Sequence, residues 1–369
     1  MIGLVKFLDR YLGGLICLLL WPFSLLKFRR KEVRNILVIM FWGIGSNIAG
    51  LPAVKALKQR YPDAQITVLA PKKNKGIFYG LDPIDRKEFL DLNALNVLWF
   101  MLRNILRYDL AVDMEHYLNI SAIIGFVTSR EVIGFKNRLR RLLYSNSIRF
   151  DPSKHAVDNN LSLARLAGAR PKKHALVKLH HKPEDCKAVE RFLKKEGYRK
   201  RDLLVGICPG SGPTMTQRRW MPERFAQLAD RIIDRYDGAV VFVGGPDEYE
   251  LCSKIQVMMS NDSINSCGKV SLRQLIALIE KCRLFVSNDT GPMHIAAAQG
   301  VPTIGIFGPE TPTIFGPYGE KHIAVYKGGE CSPCIRIYEG RHVKCDNPVC
   351  MQAVSVEEVF RNVEKMMKR

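Results

Sequence analysis

The sequence predicts an α/β protein built from two doubly wound parallel-sheet halves in tandem, and three observations carry that prediction. The chain has 369 residues, a length that favours two domains, each large enough to bury its own core. Short, nearly continuous apolar runs alternate with stretches of helical periodicity, as expected for strands covered on both faces by helices. Hydrophobic residues at 47% and charged residues at 25% are ordinary globular proportions, which excludes a disordered chain and a polytopic membrane protein.

In chain order, the first element is hydrophobic. Tyr11 to Leu26 reads YLGGLICLLLWPFSLL, a run without a charge that is shorter than the roughly 20 residues a spanning helix needs. Lys6 and Arg10 precede it and Lys27, Arg29, Arg30 and Lys31 follow it, so cytoplasm-favouring charges stand on both sides. Pro22 interrupts a helix at its middle, and Trp21 and Phe23 suit a headgroup boundary. Residues 1–34 are therefore read as an N-terminal hydrophobic anchor, interfacial or re-entrant. A cleaved signal peptide, a single-pass signal anchor and a core helix of the first domain are the rivals. The lack of a small-x-small cleavage pattern counts against the first of these, and the lack of a polar face against the last.

Residues 35–175 form the expected first domain. NILVIMF after Arg34 is a β-rich run, WGIGSN a glycine turn, and AGLPAVKALKQRYP a helix. AQITVLA (64–70) and YDLAVDM (108–114) read as further strands, with an amphipathic stretch from Leu92 to Leu106 between them. Ser129 to Phe150, which holds Lys136, Arg138, Arg140 and Arg141, reads as a solvated basic loop or helix. A composition shift at Pro171 to Pro183 sets the boundary, and residues 176–350 form the second domain. Its strands are DLLVGICPGSG (202–212), AVVFVGG (239–245), LFVSND (284–289) and PTIGIFG (302–308), with helices at Glu184–Glu196, Pro222–Tyr236, Ser271–Lys281 and from Pro292. Within residues 351–369, a helix from Val356 to Met367 is expected to pack back on the first domain. Ligands of such sheets sit beyond the carboxyl ends of the strands, so a cleft between the halves is the expected active site.

Charge narrows the partners. Lys and Arg number 56 against 36 Asp and Glu, a net of +20. Residues 1–175 hold 28 basic against 13 acidic side chains, a net of +15, so the excess is concentrated in the first half. Such a surface prefers anionic lipid or an anionic substrate, with nucleic acid third. The chain shows no zinc-finger spacing, basic zipper or aromatic RNA-binding signature, and no nucleic-acid partner is expected. Cys17, Cys186, Cys208, Cys252, Cys267 and Cys282 are scattered and read as reduced thiols of a cytosolic protein.

Four segments carry chemistry. In FVSNDTGPMHIAAAQGVPTIGIFG (285–308) a strand ends at Asn288 and Asp289, Thr290 and Gly291 turn, and Pro292 starts a helix. Free amide groups there make an anion site suited to a diphosphate; the plain alternative is that Asp289 caps the helix and the alanines pack. CPGSGPTMTQRRWMPERF (208–225) offers a second glycine turn with Ser211, and Arg218 and Arg219 suit phosphate oxygens, or else form a solvated loop. In GGPDEYE, Glu248 suits ribose hydroxyls. Cys331 and Cys334 have the spacing of zinc ligands, followed by Cys345 and Cys350; the four are read as a structural zinc site or as free or redox-labile thiols.

Found together in this order, the segments resemble glycosyltransferase family 9, the ADP-heptose:lipopolysaccharide heptosyltransferases and their relatives. The resemblance runs from about Asn35 to Met367 and is strongest over Gly206 to Gly319. NDTGPMHIAAAQGVPTIGIFGP with FGPYG is similar to the donor-site signature, RRWMPERF to the basic-Trp-Pro segment, and GKVSLRQLIALI (268–279) to the connecting stretch. The resemblance implies a GT-B fold, two Rossmann-like domains facing a central cleft. It also implies inverting transfer that needs no metal or other cofactor, from a nucleotide-diphosphate sugar, ADP-heptose, to lipopolysaccharide or another lipid-linked surface glycan. The enzyme would work at an anionic membrane surface, peripheral or monotopic on the cytoplasmic face of the inner membrane. By the same resemblance Arg218 stabilises the leaving diphosphate with Arg219 as helper, Asp289, Thr290 and Gly291 form the phosphate turn, and Glu248 contacts the ribose. Lys269 and Val270 lie near the base, and Ser211 and His294 belong to the donor-binding set.

One position departs from the family. Many members carry Gly-Asp in the first glycine turn, and that Asp is taken as the base; this chain has Gly45-Ser46. A serine needs a partner to act as a base. Another carboxylate does the work, or the acceptor sits differently, or activity is lost. In VDMEHY, Asp113, Glu115 and His116 follow a strand toward the same region, with Glu115 favoured and a solvent-facing carboxylate and a structural histidine as the plain alternatives. A silent nucleotide-sugar-binding or assembly protein is thus the second functional reading, and a nucleotide-sugar epimerase the third.

Overall fold

The computed structural model describes residues 7–26, 32–171, 175–199, 203–341 and 343–368. Lys6, Lys27, Arg29, Arg30 and Lys31, the basic flanks of the hydrophobic run, lie outside them. The chain divides into two compact units, Met1–Ala175 with Ile337–Gly340, and Leu176–Arg336 with Arg341–Arg369.

The first unit is a six-stranded parallel sheet: β1 (Asn35–Ile39), β2 (Gln65–Pro71), β3 (Arg86–Leu90), β4 (Tyr108–Asp113), β5 (Ser129–Phe135) and β6 (Asn146–Ile148), in the order β3-β2-β1-β4-β5-β6. Val38 of β1 pairs with Val68 of β2 and Val112 of β4. Every residue of β4 is buried, because the sheet is covered on both faces. Its helices are α1 (Gly14–Leu20), α2 (Ile44–Arg60), α3 (Ala94–Arg103), α4 (Asn119–Thr128) and α5 (Ala156–Leu166). The order reverses direction between β1 and β4, and that switch point is where doubly wound sheets bind ligands.

The N-terminal anchor is overturned. No helix among the described residues is long and apolar enough to cross a membrane. The apolar run instead forms α1 and a 3-10 turn over Trp21–Leu26, and α1 packs on α4. Cys17 is fully buried in a cluster with Ala122, Ile123, Phe126 and Leu143. Asp9 fastens the segment, its two carboxylate oxygens accepting from the Asn119 and Ile120 amides at 3.0 and 2.9 Å, so an N-terminal residue caps α4 from outside the helix. The apolar periphery conceals a docked face marked by two small residues, Gly13 and Gly14, both buried.

The basic stretch from Ser129 to Phe150 also differs from its reading as a solvated loop or helix. It contains β5, a 3-10 turn over Arg138–Leu143, and β6. Arg140 has no exposed surface; its Nη2 lies 2.5 Å from Asp113 Oδ2 and its Nη1 donates to the Glu115 carbonyl at 2.7 Å. Arginine count signalled solvent, whereas one of these arginines is a partner for a buried carboxylate.

The second unit repeats the architecture. Strands β7 (Leu204–Cys208), β8 (Ala239–Phe242), β9 (Ile264–Asn265), β10 (Leu284–Asn288), β11 (Thr303–Phe307) and β12 (His322–Tyr326) are arranged β12-β11-β10-β7-β8-β9, all parallel. This is the first sheet's order again, with its switch point between β7 and β10. Around it lie α6 (Pro183–Lys195), α7 (Pro222–Tyr236), α8 (Tyr249–Met258), α9 (Leu272–Glu280), α10 (Gly291–Ala298) and α11 (Val356–Met367). The core joins Trp220, Phe225, Ile232, Phe242 and Val286 to Phe360 and Val363 of α11. The last helix thus packs on α7 and the strands of the second sheet, where its apolar face is buried.

Candidate active site

In the second unit the predicted donor residues gather at the switch point between β7 and β10. Pro209 to Gly212 follow β7, and Glu248 reaches across from the turn after β8. Its two carboxylate oxygens accept from the Gly212 amide at 2.9 Å and the Gly245 amide at 3.0 Å. A Cβ at Gly210 would stand 1.8 Å from Glu248 Oε1, so only glycine leaves the carboxylate in place. Each oxygen keeps lone pairs for further donors such as ribose hydroxyls.

Arg218 ends a 3-10 turn and is buried. Its Nη1 is 3.0 Å from Asp289 Oδ2, and its Nη2 is 3.6 Å from Glu310 Oε2. The first contact is an ion pair without hydrogen-bond alignment, since Asp289 Oδ2 and the Arg218 Nε and Nη2 all lack hydrogen-bond partners. Burial pushes the Asp289 carboxyl above the usual range while Arg218 opposes it. A buried guanidinium with unused donors is poised to take phosphate oxygens in a fork. Glu310, buried beside it, escaped the sequence reading; its only signal is a lone acid in FGPETP after a strand.

Asp289 and Thr290 lead into α10. Thr290 is the N-cap, with extended backbone and no side-chain capping bond, and Pro292 sits in the first turn. The N-terminal amides of α10 are therefore not taken by a cap, the arrangement that favours an anion. Asn288 braces the platform: its Oδ1 accepts from the Trp220 amide at 3.1 Å and its Nδ2 donates to the Pro209 carbonyl at 2.7 Å. Trp220, the centre of RRWMPERF, is a core residue whose Nε1 donates to the Val354 carbonyl at 2.9 Å.

The remaining predicted donor residues are spread around this platform. Arg219 Nη2 donates to the Gly212 carbonyl at 3.3 Å, and Ser211 Oγ donates to the Met215 carbonyl at 2.7 Å. His294 is buried in α10. Lys269 lies 3.4 Å from Glu196 and over the rings of Phe192 and Tyr249, and Val270 is half-buried.

In the first unit, Glu115 stands at the switch point between β1 and β4 and is 1% exposed. Its Oε1 accepts from the Phe41 and Trp42 amides at 2.5 and 3.2 Å, while Oε2 has no partner. Burial, reinforced by Asp113, holds its carboxyl well above the ordinary range, against the two amides and Arg140. Asp113 is committed elsewhere: it accepts from Arg140, from Tyr144 at 2.8 Å and from Ser121 at 2.9 Å. His116 is buried and its pKa is lowered to about 3 by desolvation and Arg140. Ser46, in the first turn of α2, is half-buried and lines the same small cavity as Glu115 and His116.

The zinc reading of the late cysteines is corrected. Among the described residues no group of three or more His, Cys, Asp or Glu side chains is placed to hold a metal ion. Cys331, Cys334, Cys345 and Cys350 feel one another electrostatically, but Cys350 is buried while Cys331 is exposed. They do not converge as ligands.

Residues 98–341 match the family model for glycosyltransferase family 9 (heptosyltransferase). The chain belongs to this family. It is a glycosyltransferase whose two parallel sheets with flanking helices are those of the GT-B fold. The lipopolysaccharide core heptosyltransferase OpsX of Haemophilus influenzae is 26% identical over 307 residues, 80% of this chain and 85% of that protein. Two solved structures share the fold. A glycosyltransferase family 9 protein of Veillonella parvula, 22% identical, has a TM-score of 0.78 over 92% of this chain and 99% of its own. The ADP-heptose lipopolysaccharide heptosyltransferase II of Escherichia coli, 20% identical, has a TM-score of 0.71 over 90% and 98%.

Proposed function

We propose that this glycosyltransferase moves a heptosyl group from ADP-heptose to lipopolysaccharide or another lipid-linked surface glycan, with inversion, at the cytoplasmic face of the inner membrane. The observation that carries the donor half is Arg218, a buried guanidinium with unused donors beside the uncapped start of α10. As the glycosidic bond to the diphosphate breaks, negative charge grows on the leaving ADP. Fixed cationic and N–H donors stabilise that charge without reorganising. Glu248 holds the ribose, and Asp289 and Glu310 hold Arg218.

On the acceptor side Glu115 is the base that takes the hydroxyl proton, the role left open by Ser46. Its burial suits the task, because a carboxylate with a raised pKa is a stronger base once ionised. Asp113 orients rather than reacts, since it accepts from the Glu115 amide at 3.0 Å and pairs with Arg140.

The membrane part of the proposal rests on the surface of the first unit. Leu95 is 80% and Trp99 65% exposed on α3, with Leu98 and Leu102 beside them, in a half of the chain with net charge +15. Apolar side chains among basic ones suit an anionic lipid interface. Purified protein given ADP-heptose and a glycolipid acceptor should release ADP only when acceptor is present, and Arg218→Lys should slow that release. Consumption of donor without acceptor, or none with any lipid-linked glycan, would overturn the reading.

A further inference from the structure

A small cavity opens at the β1–β4 switch point, lined by Trp42, Ser46, Asn47, Glu115, His116 and Asn160 among others, with a volume of about 10 Å³. One water needs about that much space and two to four polar partners. Four atoms of the lining residues are buried and make no hydrogen bond: Trp42 Nε1, Glu115 Oε2, His116 Nδ1 and Asn160 Oδ1. Burying four such groups together without partners is costly, because each loses its hydration and gains nothing in return. They converge from three separate segments: the β1–α2 turn, the end of β4, and α5.

We propose that this cavity binds one water molecule, and that the water relays the acceptor's proton from Ser46 to Glu115. The water accepts from Trp42 Nε1–H and from the Nδ1–H of neutral His116, and donates to Asn160 Oδ1 and Glu115 Oε2. That set satisfies all four groups at once. The inference rests on the reading of Glu115 as the base, and it explains how a carboxylate so deeply buried receives a proton from outside. Among the lining residues Trp42 and Ser46 are half-buried and the others buried, and of those two only Ser46 carries a hydroxyl that can pass a proton, whereas the cavity is too small for a sugar.

In the step, the acceptor hydroxyl passes its proton to Ser46 Oγ. As Ser46 Oγ–H takes the place of His116 Nδ1–H at one of the water's two lone pairs, the serine proton passes to the water, and one water proton passes to Glu115 Oε2. The freed acceptor oxygen forms a bond to the anomeric carbon as the bond from that carbon to the diphosphate oxygen breaks, its electron pair leaving with ADP. Serine and water are regenerated, and Glu115 ends protonated. Trp42, His116 and Asn160 are positioning residues for the water.

The test is a proton inventory of kcat in mixed H2O and D2O for the full-length protein and its Ser46→Ala, Trp42→Phe and Asn160→Leu variants, beside Glu115→Gln. The wild type is expected to give a curved inventory from several protons in flight. Ser46→Ala and Trp42→Phe should lower kcat about tenfold with the donor KM unchanged, and Asn160→Leu, which fills the cavity, should lower it further. Trp42→Phe keeps an aromatic ring against Tyr117, so it decides the matter if Asn160→Leu fails to fold. A linear inventory, with full activity in Ser46→Ala and Trp42→Phe but loss in Glu115→Gln, overturns the relay and leaves the base. Full activity in Glu115→Gln overturns the base reading itself.

Discussion

Glu115 and Arg218 carry opposite burdens, and each is testable through its environment. Burial and the Asp113 carboxylate favour protonated Glu115, yet only the ionised form takes a proton. Turnover should therefore stay low through the ordinary carboxylate range and rise with pH through the raised value. Glu115→Gln should abolish that limb and lower kcat by about 10²–10⁴, while ADP binding, followed by calorimetry, is unchanged. For stability the sign is separate. The raised folded-state pKa gives a contribution that is full below the unfolded value and lost as pH rises through the folded one. His116 works the other way. Lowered to about 3, it contributes stability above its unfolded value of about 6.5 that is lost as pH falls from there. Urea unfolding at pH 7 and pH 5 should show the wild type losing more stability than His116→Phe.

Arg218→Ala would leave Asp289 and Glu310 buried around a missing cation, at a cost of about 3–5 kcal/mol. Arg218→Lys keeps the charge and removes the fork, and is expected to weaken ADP about tenfold, one charged hydrogen bond's worth. The basic-Trp-Pro pattern pointed to Arg218 from sequence alone. Glu310 was invisible there because an isolated acid after a strand has no spacing that marks it, and its meaning comes only from the guanidinium beside it.

At the scale of elements, both sites depend on turns that follow the paired central strands. The glycine turn after β7 was legible because PGSG directly after an apolar run marks the end of a strand; what sequence could not show was that Gly210 makes room for Glu248, thirty-odd positions on. Gly210→Ala should expel the Glu248 carboxylate and reduce ADP affinity while the fold survives, since the clash is with a side chain. Thermal denaturation alongside ADP calorimetry separates the two effects. The hydrophobic N-terminal run misled for a different reason. Its composition matched an interface, but its docking is specified by Asp9, Gly13 and Cys17, three residues that hydropathy averages away. Asp9→Ala removes two bonds to the start of α4 and should cost about 0.5–2 kcal/mol, as loss of a helix cap does. Strand β5 was hidden by its charged residues, because Arg130 and Glu131 near its start are half-buried and only Ser129 and the short run Val132–Phe135 are buried.

For the whole molecule, the two sheets have one topology used twice; alternating strands and helices in the sequence sufficed to predict two doubly wound parallel halves, but not the six-strand order they share. What the pattern could not provide was the division of labour: a first unit with a buried carboxylate, a second with a buried guanidinium and free helix amides. The basic excess of the first half and the exposed Leu95 and Trp99 of α3 belong to the same scale. Binding to anionic vesicles should weaken with salt, as screened attraction does, and Leu95→Ser with Trp99→Ser should reduce it severalfold without changing ADP affinity. The central claim is that a heptosyl group leaves ADP only to an acceptor hydroxyl deprotonated through Glu115. The most direct measurement is single-turnover release of ADP from ADP-heptose with and without glycolipid acceptor, in wild type and Glu115→Gln. The account predicts acceptor-dependent release in the wild type and a loss of about 10² or more in the variant; equal release from both proteins would contradict it.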